Sequence, residues 1–224
     1  MKVTLTHFTH DPVEAIEEAA SNCYNSQPSN GRIMRACYNS GHHAVLEFAD
    51  FTFHIEGISR ALSHQLVRHR LASYAQRSQR YCSEDSFDYV TPSTIIKNKE
   101  ALIEYRSFMA KCRKIYSELQ SLGIPNEDAR FVLPNACETQ IEVKMNLREL
   151  IHFMNERLCI RAQWEIRELA EKMRDEVINI FPELKPYLVP KCESHAVMPY
   201  CTEHNGCGKH PKLKDIYTIY ENNK

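Results

Sequence analysis

The sequence predicts an α+β fold in which a mainly antiparallel sheet is flanked by long helices, without a Rossmann domain. Alternation of apolar and polar residues is typical of strands and marks three short segments: Lys2–Phe8, Phe51–Ile55 and Glu138–Met145. Two longer segments repeat apolar residues with the period of a helix. The chain has six glycines and no G-x-G-x-x-G motif, which argues against a doubly wound dinucleotide-binding domain.

The first helices follow the strand at the N-terminus. Asp11 is predicted to cap a helix that starts at Pro12, because proline suits the first helical position and acidic residues follow it. A second helix is predicted from Ser29 to Tyr38. Gly41 can adopt the positive φ that ends such a helix.

The middle of the chain begins with a short amphipathic helix, whose apolar positions are Ile58, Ala61, Leu62 and Leu66. Phe87–Pro92 is predicted to be a short strand that the proline ends. A long helix is predicted over Asn98–Leu122, since Gly123 and Pro125 follow it. Asn126–Pro134 is predicted to contain a short capped helix.

Two further helices complete the predicted body. Asn146 is expected to cap the first of them, on which Arg148 and His152 are neighbours four residues apart. The apolar residues of that helix pack behind this polar face: Leu147, Ile151 and Met154. Trp164–Ile180 is predicted to be an amphipathic scaffold helix.

Composition limits the class of protein. A chain of 224 residues can form one main domain, predicted over residues 1–185, with a Cys/His-rich tail over 186–224. The net charge of -1 gives no general attraction to nucleic acid or membrane. No long apolar run is present, so we expect a cytoplasmic protein. Its nine cysteines are expected to stay thiols, with four of them in helical cores: Cys23, Cys37, Cys112 and Cys159.

The stretch from Arg68 to Tyr81 carries the strongest functional signal. It contains four arginines, a histidine, two serines and two glutamines, but no lysine or acidic residue. The planar guanidinium group of arginine suits phosphates and carboxylates, and amide side chains can both donate and accept hydrogen bonds to a base or flavin edge. The residues alone therefore predict a binding site for an anionic ligand such as a nucleotide.

The same stretch resembles a known signature. Arg68-His69-Arg70, seven further residues, Ser78 and then Arg80-Tyr81 resemble the motif of the flavin-dependent thymidylate synthases. Two further blocks resemble the same family, one around Arg130 and one from Asn146 to Arg157. The resemblance implies an enzyme, a methyltransferase of nucleotide biosynthesis that makes dTMP from dUMP. Methylenetetrahydrofolate would donate the carbon unit, FAD would carry the hydride, and NADPH would be the reductant.

The resemblance also implies roles for single residues. Arg157 would be catalytic, because its charge beside the pyrimidine would stabilise the ionised base. The residues expected to bind dUMP are Gln65, Arg68, Gln76, Arg77, Ser78, Gln79, Arg80, Arg130 and Arg157. Those expected to bind FAD are Arg68, His69, Arg70, Gln76, Asn146, Arg148 and His152. His42 and Glu47 would lie near the flavin and folate. The family implies a homotetramer whose active sites are shared between chains.

Other interpretations explain part of the pattern. An RNA- or nucleotide-binding module could use the Arg-rich stretch for phosphates, with Tyr74 and Tyr81 stacking on bases. A flavoprotein reductase with another substrate is a third possibility. Ser78 could be a nucleophile, but no neighbouring general base is evident in the sequence, so a phosphate-binding hydroxyl is the preferred role.

The tail contains cysteines and histidines at metal-like spacing. Three Cys-x-x-His pairs occur there: Cys192 and His195, Cys201 and His204, and Cys207 and His210. A zinc site drawn from the last two pairs is geometrically conceivable. Two intervening residues are too few for an ordinary pair of zinc knuckles, so the sequence favours an irregular tail without a metal.

Overall fold

The structure, a computed structural model, describes residues 1–24, 26–194 and 198–216. His195 and residues 217–224 of the predicted tail lie outside this part. The strands are β1 (Lys2–Phe8), β2 (Asp50–Ser59), β3 (Ser73–Gln76) and β4 (Glu138–Asn146). The helices are α1 (Pro12–Tyr24), α2 (Arg32–Asn39), α3 (Arg60–Leu66), α4 (Ser93–Ile96), α5 (Lys99–Ser121), α6 (Asn126–Ala129), α7 (Leu147–Arg157) and α8 (Trp164–Ile180).

The strands form one antiparallel sheet in the order β1-β2-β4-β3. This sheet and the long helices α5 and α8 confirm the predicted α+β class, and no Rossmann fold is present among the described residues. Sequence analysis missed β3, because four residues are too few for a visible alternation. The strand predicted over Phe87–Pro92 is wrong: Tyr89 forms only an isolated bridge with Cys137, and Pro92 cannot donate to a ladder.

The helix boundaries follow local capping. Asn98 caps α5 by accepting a hydrogen bond from the Ala101 N–H at 3.1 Å, and α8 has the predicted bounds. Helix α2 starts at Arg32 rather than Ser29, because Asn30 and Gly31 have φ values of 55° and 83°, which no right-handed helix tolerates. Gly41 follows α2 with the expected positive φ, 76°.

The chain divides into two compact units, and the first comprises residues 1–2, 54–68 and 74–143. Its helix α5 packs onto a small core of buried side chains: Phe87, Met109, Cys112 and Cys137. Tyr116 of α5 is fully buried, and its hydroxyl accepts a hydrogen bond from the Glu84 N–H at 3.2 Å. The core therefore anchors α5 beside the loop that follows the Arg-rich stretch.

The second unit comprises residues 3–53 and 69–73 and the chain from 144 onward. Its core contains Phe181, whose ring meets those of Phe8 and Phe51 edge to face, with centroids 5.3 and 6.1 Å apart. The buried carboxylate of Glu17 holds the start of α2 by accepting from the Ile33 N–H at 2.9 Å. The predicted division into residues 1–185 and 186–224 stays a prediction.

Two of the four cysteines expected in helical cores are buried. Cys37 and Cys112 are buried, whereas Cys23 is exposed and Cys159 is partly exposed. Cys159 comes after the last residue of α7, so it is not part of a helical core stripe. Across residues 1–24, 26–194 and 198–216, no helix is both long and apolar enough to cross a membrane.

Candidate active site

The Arg-rich stretch starts where α3 ends. Ser59 caps α3 with its hydroxyl oxygen, which accepts from the Leu62 N–H at 3.0 Å. Leu62 and Leu66 are fully buried, whereas Arg68 is exposed. The predicted amphipathic helix is confirmed at Leu62 and Leu66, whereas Ile58 lies in β2 and Ala61 is exposed. The C-terminal end of α3 places the first arginine of the motif at the surface, next to the partly buried Gln65.

The loop after β3 holds the serine of the motif. The Ser78 hydroxyl oxygen accepts a hydrogen bond from the Arg80 N–H at 3.2 Å, and the Ser78 carbonyl accepts from the Cys82 N–H at 3.0 Å. Neither of these two bonds uses the hydroxyl proton. Ser78 can donate to an anionic ligand, as a phosphate-binding role requires.

Two of the predicted arginines come together on Glu127. The Arg80 guanidinium forms an ion pair with the Glu127 carboxylate, and Arg130 Nε donates to the Glu127 carbonyl at 3.0 Å. Both arginines are exposed. The Arg80 guanidinium also lies 5.2 Å from the centre of the Tyr81 ring. The two guanidinium groups, 50 positions apart in sequence, thus share one partner residue in the first unit, and groups of this kind are donors that suit an anion.

Arg77 is exposed, but its side chain is engaged by protein groups. Its Nε donates to the buried Glu84 carboxylate at 3.1 Å, and this hydrogen bond raises the pKa of Arg77. Its backbone N–H donates to the Gln140 carbonyl at 3.0 Å, and its carbonyl accepts from Arg60 Nη2 at 2.9 Å. Arg77 therefore fixes the loop conformation.

The two glutamines of the stretch face β4 and the residue before it. Gln76 Nε2 lies 3.4 Å from the Thr139 hydroxyl, and Gln79 Nε2 lies 3.7 Å from Cys137 Sγ. Both side chains are partly exposed. Their amide oxygens are acceptors that a base edge can use.

Helix α7 presents the third block in the second unit. Asn146 caps it by accepting from the Glu149 N–H at 2.9 Å, as the sequence predicts. Arg148 and His152 are exposed. Arg148 Nη1 lies 2.6 Å from Glu47 Oε1, so two predicted residues from separate blocks meet. His42, which precedes Glu47 in the chain, is also exposed. Its backbone N–H donates a hydrogen bond to the Cys37 carbonyl at 2.8 Å.

The middle of the Arg-His-Arg triplet is buried. Arg70 is exposed, whereas His69 is only 5% exposed. Arg157 Nε donates to His69 Nε2 at 3.0 Å, and His69 Nδ1 lies 3.4 Å from Glu149 Oε1. His69 was expected to bind FAD and Arg157 to be catalytic, and the two residues are 88 positions apart in sequence. The second unit therefore brings a predicted cofactor-binding residue into contact with the predicted catalytic residue.

The protonation state of this group follows from its geometry. Since Arg157 Nε carries a hydrogen, His69 Nε2 must be unprotonated to accept it. Burial, the charge of Arg157 and the nearby His152 lower the pKa of His69 from 6.5 to about 4. Burial also raises the pKa of Glu149, while His152 acts against this shift. The proton on neutral His69 then sits on Nδ1, beside the Glu149 carboxyl group.

Like Glu84 and Glu127, Glu149 is a site residue that the sequence analysis did not identify. An acidic residue in the first turn of a helix ordinarily interacts with the helix dipole at the surface, and Glu149 occupies that position. It is only 3% exposed. No pattern in the sequence distinguishes it from an exposed first-turn acid, because its burial depends on His69.

Comparisons with known proteins agree with one another. A family model described as thymidylate synthase complementing protein matches residues 4–183. The flavin-dependent thymidylate synthase of Geobacter sulfurreducens is 43% identical over 231 residues, covering 97% of this chain and 98% of the relative. That of Pyrococcus furiosus is 42% identical, covering 96% of both chains.

A solved structure shares the fold. The crystal structure of the flavin-dependent thymidylate synthase from Helicobacter pylori, complexed with FAD and dUMP, matches with a TM-score of 0.67. The match covers 86% of this chain and 99% of that one, at 23% sequence identity.

Proposed function

The chain belongs to the flavin-dependent thymidylate synthase family, and we propose that it converts dUMP to dTMP with its own residues in the roles that follow. In balanced form, dUMP, methylenetetrahydrofolate, NADPH and a proton give dTMP, tetrahydrofolate and NADP⁺. The family match over residues 4–183 carries this proposal. The use of folate and NADPH rests on the family alone.

The dUMP phosphate is assigned to the arginine pair of the first unit. Arg80 and Arg130 are exposed and share Glu127 as a partner. A phosphate carries more charge than one carboxylate and accepts bidentate hydrogen bonds from guanidinium groups, so it can replace Glu127 as the partner of Arg80. Ser78 adds a hydroxyl donor, and Gln65, Arg68, Gln76 and Gln79 are assigned to base and sugar contacts.

Arg77 is assigned an indirect role in dUMP binding. Its side chain is engaged by Glu84 and its N–H by Gln140, so it holds the Ser78 loop in place. This assignment refines the expectation that Arg77 itself contacts the nucleotide.

The chemistry of the donor groups fits FAD. Arg70, Arg148 and His152 are exposed in the second unit, and guanidinium and imidazole groups suit a pyrophosphate and the polar edge of a flavin. When bound, FAD supplies the hydride that completes the methyl group. Asn146 and Arg68 are assigned to the same cofactor, and His42 and Glu47 to the flavin and folate side.

Arg157 is assigned to the reacting base. Its Nε is used by His69, while the terminal nitrogens of the guanidinium carry further N–H donors for the pyrimidine carbonyl and N3. A fixed positive charge there stabilises negative charge that develops on the ring. Glu149 acts as a positioning residue, because it favours the His69 tautomer that accepts from Arg157.

Assembly into a homotetramer is supported by α5. Phe108 and Ile115 are 55% and 45% exposed and lie seven residues apart, which places them on one line along α5. Leu122, the residue after α5, is 77% exposed. An apolar line of this kind suits a contact with another chain. Cytoplasmic location remains a prediction.

A spectroscopic experiment tests the proposed function. Purified protein is expected to show flavin absorbance that NADPH bleaches, and dTMP should form only when dUMP and methylenetetrahydrofolate are both present. Flavin that is reduced but never yields dTMP would identify a different reductase. Colourless protein that binds RNA with steep salt dependence would support the nucleic-acid alternative instead.

A further inference from the structure

Three potential metal ligands meet in the tail. Cys192, Glu193 and His210 each offer one ligand atom, and these atoms lie within 4.8 Å of one another. His210 Nε2 is 3.3 Å from Glu193 Oε1, and all three side chains are half-buried. We propose that Cys192, Glu193 and His210 bind a zinc ion that organises the tail.

Backbone hydrogen bonds bring these distant residues together. The Tyr200 N–H donates to the Cys192 carbonyl at 3.1 Å, and the Cys201 N–H donates to the Pro211 carbonyl at 2.8 Å. The first bond returns the chain to Cys192, and the second places His210 beside it. The ligand positions are therefore set by the tail's own folding rather than by sequence spacing.

Further thiols line the same space. A cavity of about 40 Å³ is bordered by Cys192 and His210 and also by Cys159, Cys201 and Cys207. Since one water molecule needs only about 10 to 15 Å³ of such volume, the cavity can admit an ion. Zinc prefers four tetrahedral ligands, and one of these three cysteines would supply the fourth.

The ligand types suit zinc. Glu193 forms an ion pair with Lys209, so the metal would replace the Lys209 ammonium as the partner of this carboxylate. Thiolate, imidazole and carboxylate together are ligands typical of zinc.

This set differs from the one that spacing suggests. His204 is exposed, and its Nδ1 lies 3.1 Å from its neighbour Asn205 Oδ1. In the described part of the tail, the atoms that converge belong to Cys192 and Glu193 rather than to His204. The geometry thus points to a metal where the sequence alone favours none.

Zinc binding by the full-length chain tests the proposal. Protein produced with zinc in the medium is expected to contain about one zinc per chain. After removal of the metal, zinc chloride is titrated against a chromophoric chelator. Glu193→Gln, which preserves side-chain shape, is expected to weaken zinc affinity on the order of tenfold or more. Cys192→Ser and His210→Ala are expected to lose the metal.

Matched controls separate this site from its alternatives. His204→Ala and Cys23→Ser are expected to bind zinc like the parent protein, and circular dichroism identifies any variant that fails to fold. Cobalt substitution should give thiolate charge-transfer absorbance that disappears in Cys192→Ser. Protein without zinc, unchanged affinity in folded Glu193→Gln and His210→Ala, or metal loss in His204→Ala would each overturn the proposal.

Discussion

Acid should destabilise this protein through one buried imidazole. His69 is 5% exposed and is faced by Glu149, His152 and Arg157. Its pKa is about 4 in the folded chain against an ordinary 6.5. Between these values the unfolded chain binds the proton and the folded chain does not, so the contribution to stability is complete above 6.5 and is lost as pH falls towards 4.

The magnitude follows from the two pKa values. Linkage gives a loss of roughly 2 kcal/mol in the free energy of unfolding between about pH 7 and about pH 4.5. The raised pKa of Glu149 works in the opposite direction, because its protonation at low pH favours the folded state. The net loss attributable to the buried group is therefore smaller than the His69 figure alone.

Urea unfolding at both pH values measures this effect. His69→Gln keeps an amide acceptor for Arg157 but cannot titrate, so its stability is expected to fall less between the two pH values than that of the parent. His64→Gln, at an exposed position, should behave like the parent. Equal pH dependence in the parent and His69→Gln would refute the assigned burial and protonation of His69.

Four further predictions concern catalysis, binding, stability and assembly. Arg157→Ala should retain flavin but lose dTMP formation by about 100-fold or more; near-native turnover would remove Arg157 from the catalytic role. Ser78→Ala should weaken dUMP binding by roughly tenfold without abolishing turnover. Complete inactivity with native dUMP affinity, and a trapped Ser78 adduct in the parent, would instead identify a nucleophile. Asn146→Ala should cost about 1 kcal/mol in urea unfolding, because α7 loses its cap, and an unchanged midpoint would contradict this. Phe108→Glu with Ile115→Glu should dissociate a tetramer in sedimentation experiments, whereas a parent that is a fully active monomer would exclude shared sites.

Local signals predicted most of the secondary structure. The cap Asn146 lies where the sequence places it, and the long helix begins next to Asn98, its predicted first residue, since capping depends on a side chain and an N–H only three positions away. The same is true of Gly41, whose positive φ is a property of one residue. The start of α2 was missed because two successive positive φ values, at Asn30 and Gly31, are not evident from composition.

The motif residues could be recognised from the sequence, but the separate roles of the individual arginines could not. Sequence resemblance indicated the family and the Arg-rich blocks, because these are runs of residues at fixed spacing. Only the tertiary structure shows that Arg77 is engaged by Glu84 while Arg80 and Arg130 meet on Glu127. Such pairs form between residues that are far apart in the chain, and the local periodicity of the sequence does not reveal them.

The sequence by itself therefore determined the fold class, the family and the stretches that carry chemistry, since each is written in local pattern and spacing. Tertiary structure alone decided that His69 is buried against Glu149 and Arg157, and that Cys192 rather than His204 meets His210. The physical reason is that burial and convergence depend on which distant side chains remove water from one another and on the backbone bonds that hold them. Neither the burial of a side chain nor the convergence of distant side chains is a property of any one segment.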